Sequence, residues 1–276
     1  MKRYGKKTII YILLSIWATL TLYPFFWVII NSFKPSSDII RDSLSIPITN
    51  FTFDNYIKAF TSDYNIFRSY MNSFIVSFSV VFAVLIIAGF ASYALARYNF
   101  KGKKLVYAFI IACMMFPIFS VIYPLHQILI NLKLNGSRLG VILPQIAGNV
   151  SFAVVILTGF IQQLPVEVEE SAYIDGANIF QILFIVVFPM AKSAFASTAI
   201  FVFLWSYNDL FLQMVIIQDK DKMPICALLK EISSKYGTDF GLMASSVTLI
   251  IVPVIIVYIL LQNHIIKGLT AGAIKG

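Results

Sequence analysis

Hydrophobic positions in this chain gather into long uninterrupted stretches, and the polar positions are confined to the segments between them. Six stretches are free or nearly free of charge and long enough to cross about 30 Å of hydrocarbon, which takes about 20 helical residues. They are Ile9–Ile30, Ser73–Leu95, Leu105–Leu125, Leu139–Ile161, Ser193–Ile217 and Phe240–Leu261. The stretches predict helices, because barrel strands are about ten residues long and alternate in polarity. The chain is therefore expected to be all-α and polytopic, one transmembrane domain over residues 1–276 with six spans. Residues 31–71 read as a loop with helical patches such as 55–60, and residues 218–239 as a shorter loop. There is no visible internal repeat, and the loops are too short for a second folded domain.

Composition sharpens this. The chain is 59% hydrophobic and 12% charged, whereas soluble domains run at about 45–50% and about 25%. A membrane protein follows. The formal charge of +8 would in a polar chain suggest nucleic acid, but in this one it marks loops held at an anionic cytoplasmic surface, so nucleic acid is not expected as a partner. Membrane lipid is. Two cysteines, Cys113 inside an apolar run and Cys226 in a polar loop, give no disulfide framework. The first stretch follows a basic start as a signal peptide would. Its length exceeds an h-region of about 7–15 residues, and no Ala-x-Ala site follows, so it reads as an uncleaved first span.

Lys and Arg set the orientation. Raw totals on the two sides nearly tie, and density decides. Lys2, Arg3, Lys6 and Lys7 crowd the first seven residues, and Arg97, Lys101, Lys103 and Lys104 crowd 97–104. Lys34, Arg41, Lys58 and Arg68 are spread thinly along the opposite side. Short clusters next to spans weigh most, so both termini are expected in the cytoplasm, and the protein in a multi-pass arrangement.

The stretch 162–192 between the fourth and fifth spans reads QQLPVEVEESAYIDGANIFQILFIVVFPMAK. Pro165 suits a first helical position, and Glu167, Glu169 and Glu170 complement the positive end of a helix dipole. Gly176 supplies a left-handed stop, which predicts a helix over 167–175. A second helix is predicted over 179–188, stopped near Pro189. The apolar part, 176–191, is about four residues too short for a span, and a seventh crossing would move the C-terminus outside, so it is placed at the inner interface. Two readings of the first helix are open: an interfacial amphipathic helix with a well-capped start, or a turn whose small residues Ser171, Ala172, Gly176 and Ala177 admit another surface close to the backbone.

The same residues carry a resemblance. Glu170-Ser171-Ala172-x3-Gly176, then nine residues, then Val186-x-Phe188-Pro189, resembles the EAA motif E-A-A-x3-G-x9-I-x-L-P of permease subunits of binding-protein-dependent ABC importers. Ser171, Val186 and Phe188 depart from it conservatively, and Tyr173-Ile-Asp-Gly-Ala177 is similar to the form common in sugar importers. The ending Gln262-Asn-His264 and Gly268-Leu-Thr-Ala-Gly-Ala-Ile-Lys-Gly276 is similar to that of the MalG-like subunit of maltose-type permeases. The resemblance implies a cell-membrane subunit of a prokaryotic ABC importer of a sugar or oligosaccharide. It implies four kinds of company: a second, non-identical permease, two cytoplasmic ATPase subunits, an extracytoplasmic sugar-binding protein, and lipid. ATP and Mg would then be bound by the ATPase partners, with no cofactor on this chain. Glu170, Ser171, Ala172, Asp175, Gly176 and Ala177 become the expected ATPase-coupling residues, and the tail 268–276 a possible second contact.

This chain has no G-x-x-x-x-G-K-[ST] loop to cradle phosphates, and no paired carboxylates or nucleophile–base set marks an enzyme. Asp209 is the acidic residue inside a span, and such residues face a cavity or a partner. With Asn208, and with Gln145 and Asn149 four apart on one helix face, it outlines a possible substrate pathway; hydrogen bonds to neighbouring helices are the alternative. His126 and His264 lack metal-ligand spacing. An ion-coupled secondary carrier remains the competing function, thinly supported by one intramembrane acid.

Overall fold

The computed structural model describes residues 2–61, 66–228, 230 and 239–273, and among these it is helical with no strand. The helices are α1 (Lys2–Asn31), α2 (Ser36–Arg41), α3 (Asp54–Thr61), α4 (Ile66–Arg97), α5 (Lys103–Cys113), α6 (Ile118–Asn131) and α7 (Arg138–Ile161). They continue as α8 (Val166–Ile174), α9 (Ile179–Gln181), a π-helical stretch Ile182–Val187, α10 (Phe188–Met190), α11 (Lys192–Asn208), α12 (Leu210–Ile216), and α13 (Phe240–Ala273). Among the described residues three helical stretches, Lys7–Asn31, Ile66–Arg97 and Arg138–Ile161, are long and apolar enough to cross a membrane, four if the bent pair Ile179–Met190 and Lys192–Asn208 is one span, and Phe240–Ile256 is the apolar start of α13. The chain contacts divide into two units, Met1–Phe67 with Leu228–Pro253, and Arg68–Ala227 with Val254–Gly276.

In the first unit, α1 buries none of its apolar stretch within the chain, as suits a helix surrounded by lipid or another subunit. The described residues after it are held by an aromatic cluster and by buried hydrogen bonds. Phe33 stacks on Phe51 with ring centroids 4.8 Å apart and meets Phe53 edge-on at 5.6 Å. The expected helical patch is α3, and its buried Asn55 donates to the carbonyls of Ser32 and Lys34 at 2.9 and 2.8 Å. Gly241 lies so close that a Cβ there would meet the Asn55 carboxamide at 2.6 Å.

The second unit is built on α4 and α7. Val76, Val80, Val84 and Ala88 recur every four residues on α4, forming one buried stripe that packs with Val141, Val154 and Leu157 of α7 and with Val202 and Leu212. Two apolar runs expected as single helices are broken here. The 105–125 run divides into α5 and α6 at 114–117, because Pro117 has no N–H to donate and its φ of −70° with ψ of 132° takes the chain out of the helix. The 193–217 run divides at Asp209, whose φ of −76° and ψ of 73° are non-helical.

The expected stop near Pro189 falls one residue beyond the proline. The helical stretch runs on to Met190 after a π-helical segment, Ile182–Val187. The break comes at Ala191, where the 179–190 stretch turns by 78° into α11.

Candidate functional site

α8 begins one residue after Pro165, whose φ of −61° and ψ of 128° make it the N-cap rather than the first helical residue. Glu167 and Glu169 lie in the first turn, where carboxylates complement the helix dipole. At the other end the Ala177 N–H donates to the Ala172 carbonyl at 3.0 Å and the Gly176 N–H to the Tyr173 carbonyl at 3.1 Å. That pair of bonds is the Schellman arrangement, and it requires the left-handed φ of +86° found at Gly176. A Cβ on Gly176 would meet nothing within 4 Å, so the chain asks for glycine there on conformational grounds alone. Asn178 and Gln181 then open the next helix with a reciprocal capping box.

The acids of α8 have different fates. Glu169 turns inward and is 8% exposed. Its Oε1 accepts from Arg97 Nε at 2.7 Å and its Oε2 from Tyr93 Oη at 3.1 Å, while Arg97 Nη2 also reaches the Leu164 carbonyl at 3.0 Å. α8 is thereby fastened to the end of α4. Glu170 and Asp175 are exposed, as are Ser171 and Gly176. Ser171 Oγ donates to the Glu167 carbonyl at 2.8 Å. Ala172 and Ala177 are half-buried and pack on the chain's own cluster of Tyr93, Ile161, Ile182 and Leu183, so they support the turn from below. Beside the exposed acids stand Tyr173, 73% exposed, and Ile174, 84% exposed. The sequence reading named neither as a contact residue, although an apolar pair between two acids in a short helix is the available signal.

The second polar locus is the break at Asp209. Its Oδ1 accepts from the Leu212 N–H at 3.2 Å, capping α12, and its Oδ2 accepts from Gln145 Nε2 at 3.0 Å. Gln145 Oε1 accepts from Ser206 Oγ at 2.6 Å, and Gln213 Nε2 donates to the Ser206 carbonyl at 2.8 Å. Gln145 and Asp209 are thus brought together and join α7 to the α11–α12 junction. Asn149 donates to the Gln145 carbonyl within its own helix at 2.7 Å, and the exposed Asn208 donates to the Leu204 carbonyl at 2.8 Å, away from that cluster. Among the described residues no group of His, Cys, Asp or Glu is arranged to hold a metal.

Comparison with known proteins adds the family context. Residues 85–271 match the family described as "binding-protein-dependent transport system inner membrane component". The chain is 34% identical over 95% of its length, and 87% of the relative's, to the diacetylchitobiose uptake system permease protein NgcG of Streptomyces coelicolor. It is 31% identical over 98% of its length, and 95% of the relative's, to the arabinooligosaccharides transport system permease protein AraQ of Bacillus subtilis. In fold it is similar to a chain of a bacterial ABC transporter involved in import of the acidic polysaccharide alginate, with a TM-score of 0.82, 23% identity, and coverage of 95% of this chain and 97% of that one.

Proposed function

This chain belongs to the family of binding-protein-dependent transport system inner membrane components, and on that premise we propose that it is a membrane subunit of an ATP-driven importer of a sugar or oligosaccharide. The observation that carries the reading is the family match over 85–271 together with relatives of nearly equal length named for the uptake of diacetylchitobiose and of arabinooligosaccharides. The ion-coupled carrier has no comparable support.

In this reading the protein is a six-span permease of a prokaryotic plasma membrane with both termini in the cytoplasm. It works beside a second, non-identical permease and receives substrate from an extracytoplasmic binding protein. Two ATPase subunits, which bind ATP and Mg, dock on the 165–189 segment. Two observations favour a protein partner there over a membrane surface. First, 163–191 contains no Lys or Arg, whereas a helix lying on an anionic membrane is rich in them. Second, Tyr173 and Ile174 project beside Glu170 and Asp175, an apolar centre with acidic surroundings that suits a groove edged by basic groups.

The mechanism follows from how α8 is held. Movement of a docked partner reaches α4 through the Glu169–Arg97 pair and reaches α11 through the π-helical stretch and its 78° turn. Inward and outward states then differ in what they offer at both places, which is the condition for coupling. The substrate passes along α7 and the α11–α12 junction, with Gln145 and Asp209 shaping the break and Asn149 and Asn208 offering amides to hydroxyl groups. Reconstitution tests the whole reading. With its partners, the chain should give ATP-dependent uptake of an oligosaccharide that is lost when the binding protein is omitted. Saturable sugar transport by the lone chain, driven by a proton or sodium gradient, would reject the importer in favour of the carrier.

A further inference from the structure

Where α4 ends, α5 begins and α7 ends, the second unit encloses an open cavity of about 610 Å³. Leu95, Leu105 and Tyr107 form its apolar wall, and Lys103, Lys104 and Thr158 are among its polar lining groups. Two features of it are unexplained by the chain itself. Gly102, at φ +88°, caps α5 without any side-chain hydrogen bond; the Lys103 N–H donates to the Phe100 carbonyl at 3.2 Å, which leaves the Lys104 and Leu105 amides of this 11-residue helix without a capping side chain. Thr158, 2% exposed, has a hydroxyl with no partner, and the carbonyl one turn back that such a hydroxyl ordinarily uses, that of Val154, already accepts from Ser92 Oγ at 3.2 Å.

We propose that this cavity binds the headgroup of an anionic phospholipid such as phosphatidylglycerol. The phosphate lies at the N-terminus of α5 between Lys103 and Lys104, where helix dipole, backbone N–H groups and two ammonium charges converge. Lys103 Nζ donates to the Tyr98 carbonyl at 3.0 Å, which anchors the side chain while leaving two of its hydrogens for the ligand. An ester or glycerol oxygen of the lipid supplies the acceptor that Thr158 lacks. The acyl chains follow α5, an apolar helix with no buried residue, along Leu105 at 76% and Phe109 at 70% exposure, one turn apart. That track is why a lipid is favoured over free phosphate. The proposal rests on the membrane placement of these helices and on neither the sugar nor the ATPase assignment. It also divides the basic cluster at 97–104 into two uses: Arg97 holds Glu169, and the two lysines hold lipid.

The test is native mass spectrometry of the purified permease complex in neutral detergent, titrated with dioleoyl-phosphatidylglycerol, dioleoyl-phosphatidylcholine or inorganic phosphate. Phosphatidylglycerol should be retained and phosphatidylcholine should not. Each lysine near an anionic headgroup carries about a fivefold effect, so Lys103→Gln with Lys104→Gln should weaken retention about 25-fold. Thr158→Val, nearly isosteric and removing no bond the chain makes, should weaken it about fivefold, and it keeps the question answerable if the lysine pair fails to fold. Lys101→Gln, outside the cavity lining, should leave retention unchanged. Equal retention of the two lipids would overturn the proposal. So would a loss with Lys101→Gln as large as that of the lysine pair, or full displacement of phosphatidylglycerol by millimolar phosphate.

Discussion

α8 and the break at Asp209 are both short, polar and set among apolar helices, yet they satisfy their polar groups in opposite ways. At Asp209 each carboxylate oxygen has a partner from the same chain, one a backbone amide and one Gln145. At α8 a single acid, Glu169, is spent on the chain's own fold, while Glu170, Asp175, Tyr173 and Ile174 face outward. Polar groups closed on themselves mark a place where the helix is built. The exposed mixture of acids and large apolar side chains, held on that base, is the face that our proposal assigns to a partner.

The contrast can be broken most severely at the base of α8. Arg97→Met leaves Glu169 charged, nearly buried and without its cation, a situation that costs about 3–5 kcal/mol. Thermal unfolding in detergent should show it as the largest loss of the set. Adding Glu169→Gln should recover much of that loss, since the amide keeps a bond to Tyr93 and carries no charge. No recovery would mean that Arg97 acts through the Leu164 carbonyl alone.

Asp209→Ala comes next. It removes the cap of α12, worth about 1 kcal/mol, and strands the Gln145 amide at a further cost of about 1–3 kcal/mol. Asp209→Asn should cost less than half as much, because an Asn oxygen still caps. If Ala and Asn behave alike in thermal unfolding, charge rather than hydrogen bonding matters at the break.

Gly176 separates local strain from contact. A β-branched residue at φ +86° carries about 1–2 kcal/mol of backbone strain, and no atom of the chain stands within 4 Å to add a clash. Gly176→Val should therefore insert and fold with a modest stability loss but lose coupled uptake, while Gly176→Asn, which tolerates the left-handed region, should retain most of it. Full uptake by the Val variant would place Gly176 outside any contact. Smallest of all, Glu170→Gln should change unfolding by no more than about 0.5 kcal/mol, as an exposed surface group does, and any effect on uptake should disappear at high salt.

The sequence was informative where a single property decides the outcome. Long apolar runs read directly as helices at α1, α4, α7 and α13, and the left-handed stop at Gly176 was legible because only glycine adopts it freely. What stayed hidden depends on partners distant in the chain. Glu169 looks the same whether it faces solvent or Arg97, which stands 72 residues away. The breaks at 114–117 and at Asp209 vanished because a hydropathy reading averages over them: their flanks are as apolar as a span. Pro117 alone was a usable signal for the first. Nothing local distinguishes the outward Tyr173 and Ile174 from Ala172 and Ala177, which serve the inner face, because the facing depends on the cluster of Tyr93, Ile161, Ile182 and Leu183.

The central claim, that the outward face of α8 receives the ATPase subunits, is tested most directly by their retention through affinity purification of the tagged permease. Tyr173→Ala with Ile174→Ala removes two side chains that are 73% and 84% exposed, so the permease should be recovered in normal yield but without its ATPase partners. Asn149→Ala with Asn208→Ala, at the other locus, should keep them. Retention of the ATPase subunits by the Tyr173 and Ile174 variant at the wild-type level, with ATP-driven uptake intact, would contradict the account.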